Sequence, residues 1–373
     1  MNKKESMIEI LFYFSYVLIL FSNYFQNIVF LQNILEPIKI IAIIILLFIC
    51  FTQSNIYYKS TILAIFLLVI INLYVYVKTD NSLMLLLFLL IFASKNIDSE
   101  ELIKKDIKIK IIIVIFVFLM FIMGFTTNQE FFREGVRRYA FGFVHPNTFA
   151  AIISSILIEI IYINRNKKNI LLLFISIIVA FISNYYADSR TSIIVILLVC
   201  MAYLFQNSIL EKFLNRKGTK FIIINSWLIF TIISFIIAFL YKEQTGIGIF
   251  LDKMLSTRPR WMVRFLNTYN INLFGNKMIF VNETQAVLLN VSKAILDNAY
   301  VKYLLQYGIV LYTVMYYLFR KLFKYAYKNK NIMLIIIEFI LLFRGVSESG
   351  CYFIYSNIFL IFFSDVIYQK ERI

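Results

Sequence analysis

Apolar segments of membrane-spanning length recur along the whole chain and constrain its fold more than any other feature. Lipid offers backbone amides no water, so segments of about 20 apolar residues must fold as helices. Such segments lie near residues 8–24, 38–52, 60–77, 82–94, 109–125, 147–163, 170–186, 190–206, 221–241, 300–319, 332–343 and 351–367. Hydrophobic residues make up 61% of the chain and charged residues only 16%, which excludes a soluble fold. We therefore predict an all-α polytopic membrane protein, a single domain over residues 1–373 with about twelve transmembrane helices.

The distribution of lysine and arginine predicts the orientation of this helical domain. Short cytoplasmic loops carry an excess of basic residues, and the loops assigned to the cytoplasm contain clusters such as Lys104 to Lys110 and Lys212 to Lys220. Both termini are then cytoplasmic. The net charge of +16 follows from loop charge, so no nucleic-acid partner is expected. The bias toward Ile, Lys, Asn, Phe and Tyr is typical of AT-rich bacterial genomes and indicates a bacterial cytoplasmic membrane.

Cysteine and histidine are too sparse for a conventional metal site. Cys50, Cys200 and Cys351 stand alone within apolar segments, and His145 is the only histidine. Zinc sites and disulfide frameworks need clustered or paired residues of these types. A His-rich metal site is thereby excluded, a carboxylate site for a hard cation stays open, and no cofactor is expected.

Two segments on the predicted outer side are longer than a turn requires, and loops of such length are usually functional. They cover residues 126–146 and 242–299, the second lying between helices nine and ten of the predicted twelve. In this large extracytoplasmic loop, Pro259 suits the first turn of a short interfacial helix that carries Trp261 and Phe265 on one face. A second apolar rhythm predicts another short helix, over Val287, Val291 and Ile295.

Arginines collect on the predicted outer side, where the topology rule would deplete them. They are Arg133, Arg137, Arg138, Arg190, Arg258, Arg260, Arg264 and Arg344. Guanidinium groups bind phosphate or carboxylate through two parallel hydrogen bonds, so the set indicates an anionic ligand near the lipid surface. The alternative is that these arginines pair with outer acids such as Glu134, Asp188 and Asp252, or contact lipid headgroups.

Four stretches carry a family resemblance. They read GVRRYAFGFVHPNTFAA at 135–151, ADSRTSII at 187–194, LSTRPRWM at 255–262 and LDNAYVKYLLQYGIV at 296–310. In this order they resemble the motifs of Wzy-type polysaccharide polymerases of the O-antigen polymerase and ligase superfamily, especially those of Gram-positive capsule and exopolysaccharide systems. The resemblance covers the C-terminal two thirds of the chain, whereas residues 1–120 match in hydropathy only.

The resemblance implies a glycosyltransferase that polymerises lipid-linked oligosaccharides. Such an enzyme transfers a growing glycan from undecaprenyl diphosphate onto the next lipid-linked repeat unit at the outer face of the membrane, by metal-independent inverting transfer. The implied partners are the undecaprenyl-diphosphate-linked oligosaccharide, the lipid bilayer and a chain-length regulator. A ligase of the same superfamily, which passes the glycan to another acceptor, is an alternative.

Roles for individual residues follow from this reaction. Departure of the diphosphate develops negative charge that fixed guanidinium groups stabilise. The groups assigned to this task are Arg137, Arg138, Arg190, Arg258 and Arg260. The acceptor hydroxyl needs a base, either Asp297, where related ligases often carry histidine, or His145. Each of the two has the alternative role of capping a helix start. The remaining groove residues are Asn147, Asn298, Tyr300, Arg344 and Glu348.

A flippase for the same lipid-linked unit is a hypothesis from a different class. Glu159 and Glu338 fall inside predicted spans, where carboxylates are costly and usually functional. A flippase, however, needs a cationic cavity at mid-membrane and usually two related halves. In this chain the arginines gather outside and the halves are unlike, which favours the polymerase.

Overall fold

The computed structural model describes residues 3–53, 59–126, 131–133, 135–167, 169–206, 210–281 and 294–368. Nearly all regular structure in this part is helical, which confirms the all-α prediction. The helices are α1 Lys3–Tyr24, α2 Gln32–Thr52, α3 Lys59–Thr79, α4 Leu83–Ala93, α5 Ser99–Ile122, α6 Pro146–Ile163, α7 Ile170–Ala187, α8 Arg190–Phe205, α9 Glu211–Leu214, α10 Lys217–Ile224, α11 Ser226–Lys242, α12 Gly246–Met254, α13 Arg258–Thr268, α14 Ala299–Lys328, α15 Ile332–Arg344 and α16 Phe362–Ile367. A two-stranded antiparallel hairpin, β1 Phe131–Arg133 and β2 Val136–Arg138, separates α5 from α6.

Several helices are long and apolar enough to cross a membrane. Four meet both criteria in the described residues, at Met7–Tyr24, Val29–Thr52, Pro146–Ile163 and Ile170–Ala187. A fifth does so if α10 and α11, which meet at an angle of 74°, count as one broken span. The chain therefore has the helices of a membrane protein, and the total of about twelve spans remains a prediction.

Two predicted features differ from the structure. The segment predicted as the last span, 351–367, is interrupted, with 3₁₀ turns at Ser349–Tyr352 and Ile358–Ile361 before α16. Lys110, assigned by sequence to a cytoplasmic loop, is instead buried inside α5. The helix predicted around Pro259 corresponds to α13. The helix predicted over Val287, Val291 and Ile295 falls mostly outside the described residues, and Ile295 itself lies in an irregular segment.

Lys110 lies in a buried polar network that joins three helices. Its ammonium group lies 2.6 Å from carboxylate oxygens of both Asp106 and Glu159, and also donates to Ser155 at 2.6 Å. The hydroxyl of Tyr16 donates to Asp106 at 2.8 Å. Because lipid cannot solvate such groups, each charge needs these partners. The network thereby links α1, α5 and α6 laterally.

Helix α14 is broken near its first third at Gly308, whose φ of 82° is left-handed. The segment from Asn272 to Asn276 runs beside the break and forms hydrogen bonds with the backbone groups that the break leaves without helical partners. The amides of Ile309 and Val310 donate to Asn272 and Leu273, and that of Asn276 donates to Leu305. The residues before α14 thus pack into the helical bundle at the break.

Ends of many helices meet at one end of the bundle. There Tyr24 at the end of α1 donates to Tyr355, and Tyr139 after β2 bonds to Tyr186 in α7. The amide of Ala299 at the start of α14 donates to Gly345 after α15. We call this the hairpin end. By the sequence-based orientation it is the extracytoplasmic end.

Candidate functional site

Two cavities adjoin at the hairpin end, and their linings differ in chemistry. The polar cavity, of about 420 Å³, is lined by residues that include His145, Asp297 and Tyr355. The apolar cavity, of about 440 Å³, is lined by Ile194 and Leu198 of α8, Phe343 of α15, and Met254 and Leu255 at the end of α12. Both cavities are bordered by the same six polar residues, Arg133, Asn147, Ser256, Arg258, Arg344 and Glu348. We call this shared set the junction.

Arg258 is placed in the junction by a strained turn. The two residues before it, Ser256 and Thr257, have left-handed φ angles of 54° and 64°, which are unfavourable for residues with a Cβ and especially for β-branched threonine. Pro259 in the first turn fixes the start of α13. The turn directs Arg258 inward, so that only 12% of its side chain is exposed.

The guanidinium group of Arg258 is weakly engaged. Its Nε lies 3.5 Å from Asp297 and its Nη2 3.8 Å from Glu348, both longer than a charge-assisted hydrogen bond. Nη1 contacts the carbonyl of Leu255 at 3.4 Å. Among the described residues, Nε has no hydrogen-bond partner. Arg258 therefore retains hydrogen-bonding capacity that an anionic ligand can use.

Glu348 lies between the two junction arginines and is held tightly. It accepts hydrogen bonds from Arg344, through Nε at 2.9 Å and through Nη2, and from the hydroxyl of Thr191 at the start of α8. Burial alone would raise the pKa of Glu348, but the charges of Arg344 and Arg258 outweigh burial and lower the pKa to about 2. Glu348 is therefore a carboxylate at every physiological pH.

The β hairpin separates two adjacent arginines. Paired residues of an antiparallel ladder point to the same face, and successive residues alternate. Arg138, paired with Phe131, is buried and donates to the carbonyl of Ala187 at 2.8 Å and to Asn147 at 2.5 Å. Arg137 is exposed on the opposite face, 5.4 Å from the ring of Tyr139. Of the two, Arg138 borders the polar cavity and Arg137 borders neither the polar nor the apolar cavity.

Arg133 is a junction residue that the sequence-based assignment left out. The hairpin register places it on the same face as Arg138, because it pairs with Val136. It donates to the backbone carbonyl of Asp188 at 2.9 Å and to the Asp188 carboxylate at 3.2 Å. An alternation signal over so short a hairpin is too weak to reveal this face from sequence.

His145 both caps a helix and borders the polar cavity. Its Nδ1 accepts the amide hydrogen of Asn147 at 3.0 Å at the start of α6, and its ring packs against Phe131. With Nδ1 as acceptor, the neutral ring carries its proton on Nε2. In this tautomer His145 donates a hydrogen bond from Nε2 and is poorly suited to remove a proton.

Asp297 borders the polar cavity with 42% of its side chain exposed. The helix cap next to it is Asn298, whose amide oxygen accepts from Tyr300 and Val301. Asn298 and Tyr300 are fully buried and bond to Ser234, Val346 and Leu342. The structure thus places Asp297 at the site and gives Asn298 and Tyr300 internal packing roles.

Arg190 and Arg260 lie further from the junction. Arg190 is 63% exposed, borders only the apolar cavity and lies 3.9 Å from Asp188. Arg260 is 59% exposed, bonds to Tyr241 and Asp252, and borders neither cavity. Arg260 therefore has the acid pairing that was the alternative to ligand binding.

No family model matches the chain, and no curated protein or solved structure matches it either.

The chemistry available at the site is therefore defined by its own residues. Three helices begin beside the cavities: α6 at Asn147, α8 at Thr191 and α13 at Arg258 all contribute a lining residue from their first turn. The first turn of a helix carries partial positive charge, which favours an anion. In the described part of the chain, no group of three or more His, Cys, Asp or Glu is placed to hold a metal ion. Fixed cations, the partly exposed carboxylate of Asp297 and an adjoining apolar space suit an anionic amphiphile.

Proposed function

We propose that this chain is a membrane-embedded glycosyltransferase that polymerises polyprenyl-diphosphate-linked oligosaccharides, with the junction as its diphosphate site. The observation that carries the proposal is the location of Arg258 and Arg344 where the polar and apolar cavities adjoin. A lipid-linked sugar diphosphate has the same order of parts: an apolar chain, a charged diphosphate and polar sugars. The apolar cavity then takes the start of the lipid chain and the polar cavity takes the sugars.

The proposed reaction is an inverting displacement. The acceptor hydroxyl attacks the anomeric carbon, and the bond from that carbon to the diphosphate oxygen breaks with its electron pair on the leaving group. Asp297 takes the hydroxyl proton. Arg258 stabilises the charge that develops on the diphosphate, and such preorganised groups contribute about 3 to 4 kcal/mol each. An inverting displacement places the base and the leaving group on opposite faces of the anomeric carbon, so Asp297, which lies 3.5 Å from Arg258, must move away from that guanidinium as the sugar enters between them.

The test compares two arginines of the same helix. Arg258→Gln removes one of the junction cations, whereas Arg260→Gln removes a cation that borders neither cavity. We expect Arg258→Gln to lower the rate of chain extension by at least about 100-fold and Arg260→Gln to change it less than about threefold. The assay uses purified full-length protein and synthetic lipid-linked repeat units, with polymer length resolved by electrophoresis. Equal losses in both variants, or none in either, would contradict the proposal.

A flippase remains the second candidate, favoured by the buried network of Lys110, Asp106 and Glu159. Charged groups at membrane depth often serve ion-coupled transport. In cells carrying Arg258→Gln, a polymerase defect leaves single repeat units on the outer leaflet. A flippase defect instead leaves them on the inner leaflet, where an impermeant sugar-oxidising reagent does not reach them.

A further inference from the structure

An apolar groove runs along the side of the helical domain, away from the junction. It has a volume of about 880 Å³ and lies between α3 and α14, with one residue each from α4 and α16. Most of its lining is apolar and includes Ala64, Leu68, Phe92, Val310, Val314 and Ile367. Exposed apolar side chains of α3, such as Leu63, Phe66 and Leu67, surround its opening. We call it the lateral groove, and in a bilayer it faces the acyl chains of neighbouring lipids.

The length of the lateral groove matches one leaflet of a bilayer. Along α14 its lining residues run from Ile309, next to the break at Gly308, to Lys321. At a rise of about 1.5 Å per residue, this part of α14 is about 18 Å long. The hydrocarbon core of a bilayer is about 30 Å thick, so one leaflet accounts for about 15 Å. The apolar end of the groove then lies near mid-membrane, and Lys321 lies at the level of the headgroups.

Two cations lie at the Lys321 end, each over the ring of a tyrosine that lines the groove. The ammonium of Lys321 lies 4.7 Å from the centre of the Tyr317 ring. The guanidinium carbon of Arg320 lies 5.9 Å from the centre of the Tyr316 ring, and its Nη1 donates to the Tyr316 hydroxyl at 3.4 Å, a long hydrogen bond. The Nε of Arg320 is buried and has no hydrogen-bond partner among the described residues.

The two cations carry charge that no neighbouring acid offsets in the described part of the chain. Neither Arg320 nor Lys321 forms an ion pair there, whereas Arg165 at the same end of the bundle pairs with Glu100. Guanidinium and ammonium groups are the side chains that bind phosphate, and the unused donor of Arg320 gains from an acceptor. The lateral groove thus combines an apolar wall with an end suited to a phosphate.

We propose that the lateral groove binds an anionic phospholipid, with one acyl chain along the apolar wall and the phosphate at Lys321 and Arg320. A zwitterionic phospholipid fits less well, because its headgroup brings an ammonium group that the two cations repel. A second copy of this chain is also a poor occupant, since a symmetric contact here would bring the same cations face to face. By the sequence-based orientation this end is cytoplasmic, where leaflets carry negative surface charge. The site is independent of the reaction proposed at the junction.

The experiment compares two lipids that have the same dioleoyl chains. Native mass spectrometry of the full-length protein, titrated with phosphatidylglycerol or phosphatidylcholine, gives Kd for each lipid. We expect the wild-type protein to bind phosphatidylglycerol at least about tenfold more tightly, because each basic residue near a headgroup contributes about fivefold. Lys321→Gln should weaken phosphatidylglycerol about fivefold and change phosphatidylcholine less than about twofold.

Two further variants separate the groove from general surface charge. Lys324→Gln removes an exposed lysine of the same helix that does not line the groove, and should leave both Kd values within about twofold. Thr313→Trp fills the groove from an exposed lining position, and should weaken both lipids by at least about fivefold.

Several results would overturn the proposal. They are equal binding of the two lipids to the wild-type protein, equal losses in Lys321→Gln and Lys324→Gln, and unchanged binding in Thr313→Trp. A cross-linking test addresses the competing occupant: in a chain whose own three cysteines are replaced by alanine, Thr313→Cys should stay monomeric under oxidation in native membranes. Efficient disulfide-linked dimers would show that a second copy covers the groove in place of a lipid.

Discussion

Neighbouring arginines differ completely in their surroundings. Arg138 is buried with two hydrogen-bond acceptors, whereas Arg137 beside it is exposed on the other face of the hairpin. Arg258 faces the junction, whereas Arg260 is 59% exposed and pairs with Asp252. In each of these two pairs, one arginine therefore borders a cavity and the other faces outward. Each pair supplies a natural matched control.

Arg138→Gln should lower the rate of chain extension by about 100-fold, because Arg138 holds Asn147 at the junction and lends its charge to the polar cavity. Arg137→Gln, which removes the same charge one residue earlier, should leave the rate within about threefold. Both rates come from the polymer-length assay, with membrane insertion checked by protein yield. A larger effect from Arg137→Gln would mean that the outward face of the hairpin contacts the substrate.

Glu348 should make stability depend on pH in a defined window. Its pKa in the folded protein is lowered to about 2, below its ordinary value. The stabilisation it provides is therefore present above the ordinary carboxylate pKa of about 4.3 and is lost as the pH falls toward 2. Glu348→Gln should lower the melting temperature at pH 7, and the difference from wild type should shrink below about pH 4.5. A difference that stays constant down to pH 3 would mean that the ion pairs contribute little.

At the scale of elements, the break in α14 depends on close backbone contact. Gly308 has a left-handed φ, and a Cβ added there would lie 2.4 Å from the carbonyl oxygen of Leu273. No side chain fits in this space without moving the extended segment that takes up the hydrogen bonds of the break. The contact couples α14 to the residues that precede it in the chain.

Gly308→Ala should therefore destabilise the fold by about 3 kcal/mol, since both the backbone conformation and the space oppose a side chain. Gly218 in α10 is a suitable control, because a Cβ there meets nothing within 4 Å. Gly218→Ala should be neutral or stabilising by up to about 1 kcal/mol. Thermal unfolding in detergent compares the two variants. If Gly308→Ala and Gly218→Ala are equally stable, the backbone around Leu273 moves aside at little cost in free energy.

The sequence predicts a helix of this chain only where the residues of that helix alone determine it. Apolar runs predict the helices, since lipid forces each run to satisfy its own backbone. The break at Gly308 could not be predicted, because it depends on a segment more than thirty residues earlier in the chain. The arginines on the predicted outer side indicate an anion site. Which arginine faces inward depends on the hairpin register at Arg138 and on the acid that meets Arg260, and both are tertiary contacts.

At the scale of the whole molecule, the buried network around Lys110 holds three helices in register. Lys110→Met should destabilise the protein by about 3 to 5 kcal/mol, because it leaves Asp106 and Glu159 as uncompensated buried charges. Combining it with Asp106→Leu and Glu159→Leu should recover much of the loss. The melting temperature in detergent measures the loss of stability in Lys110→Met and its recovery in the triple variant. If the triple variant is stable and still extends glycan chains, the network is structural and the case for ion-coupled transport fails.

The orientation of the whole molecule can be tested by labelling from the two sides of the membrane. The outer loop should expose Lys253 and the cytoplasmic side should expose Lys212, and both side chains are exposed in the structure. In a chain whose three cysteines are replaced by alanine, an impermeant maleimide should label Lys253→Cys in intact cells and Lys212→Cys only after the membrane is opened. Since the hairpin end carries both cavities, labelling of Lys212→Cys from outside would place the junction on the cytoplasmic face. Polymerisation at the outer surface would then be impossible.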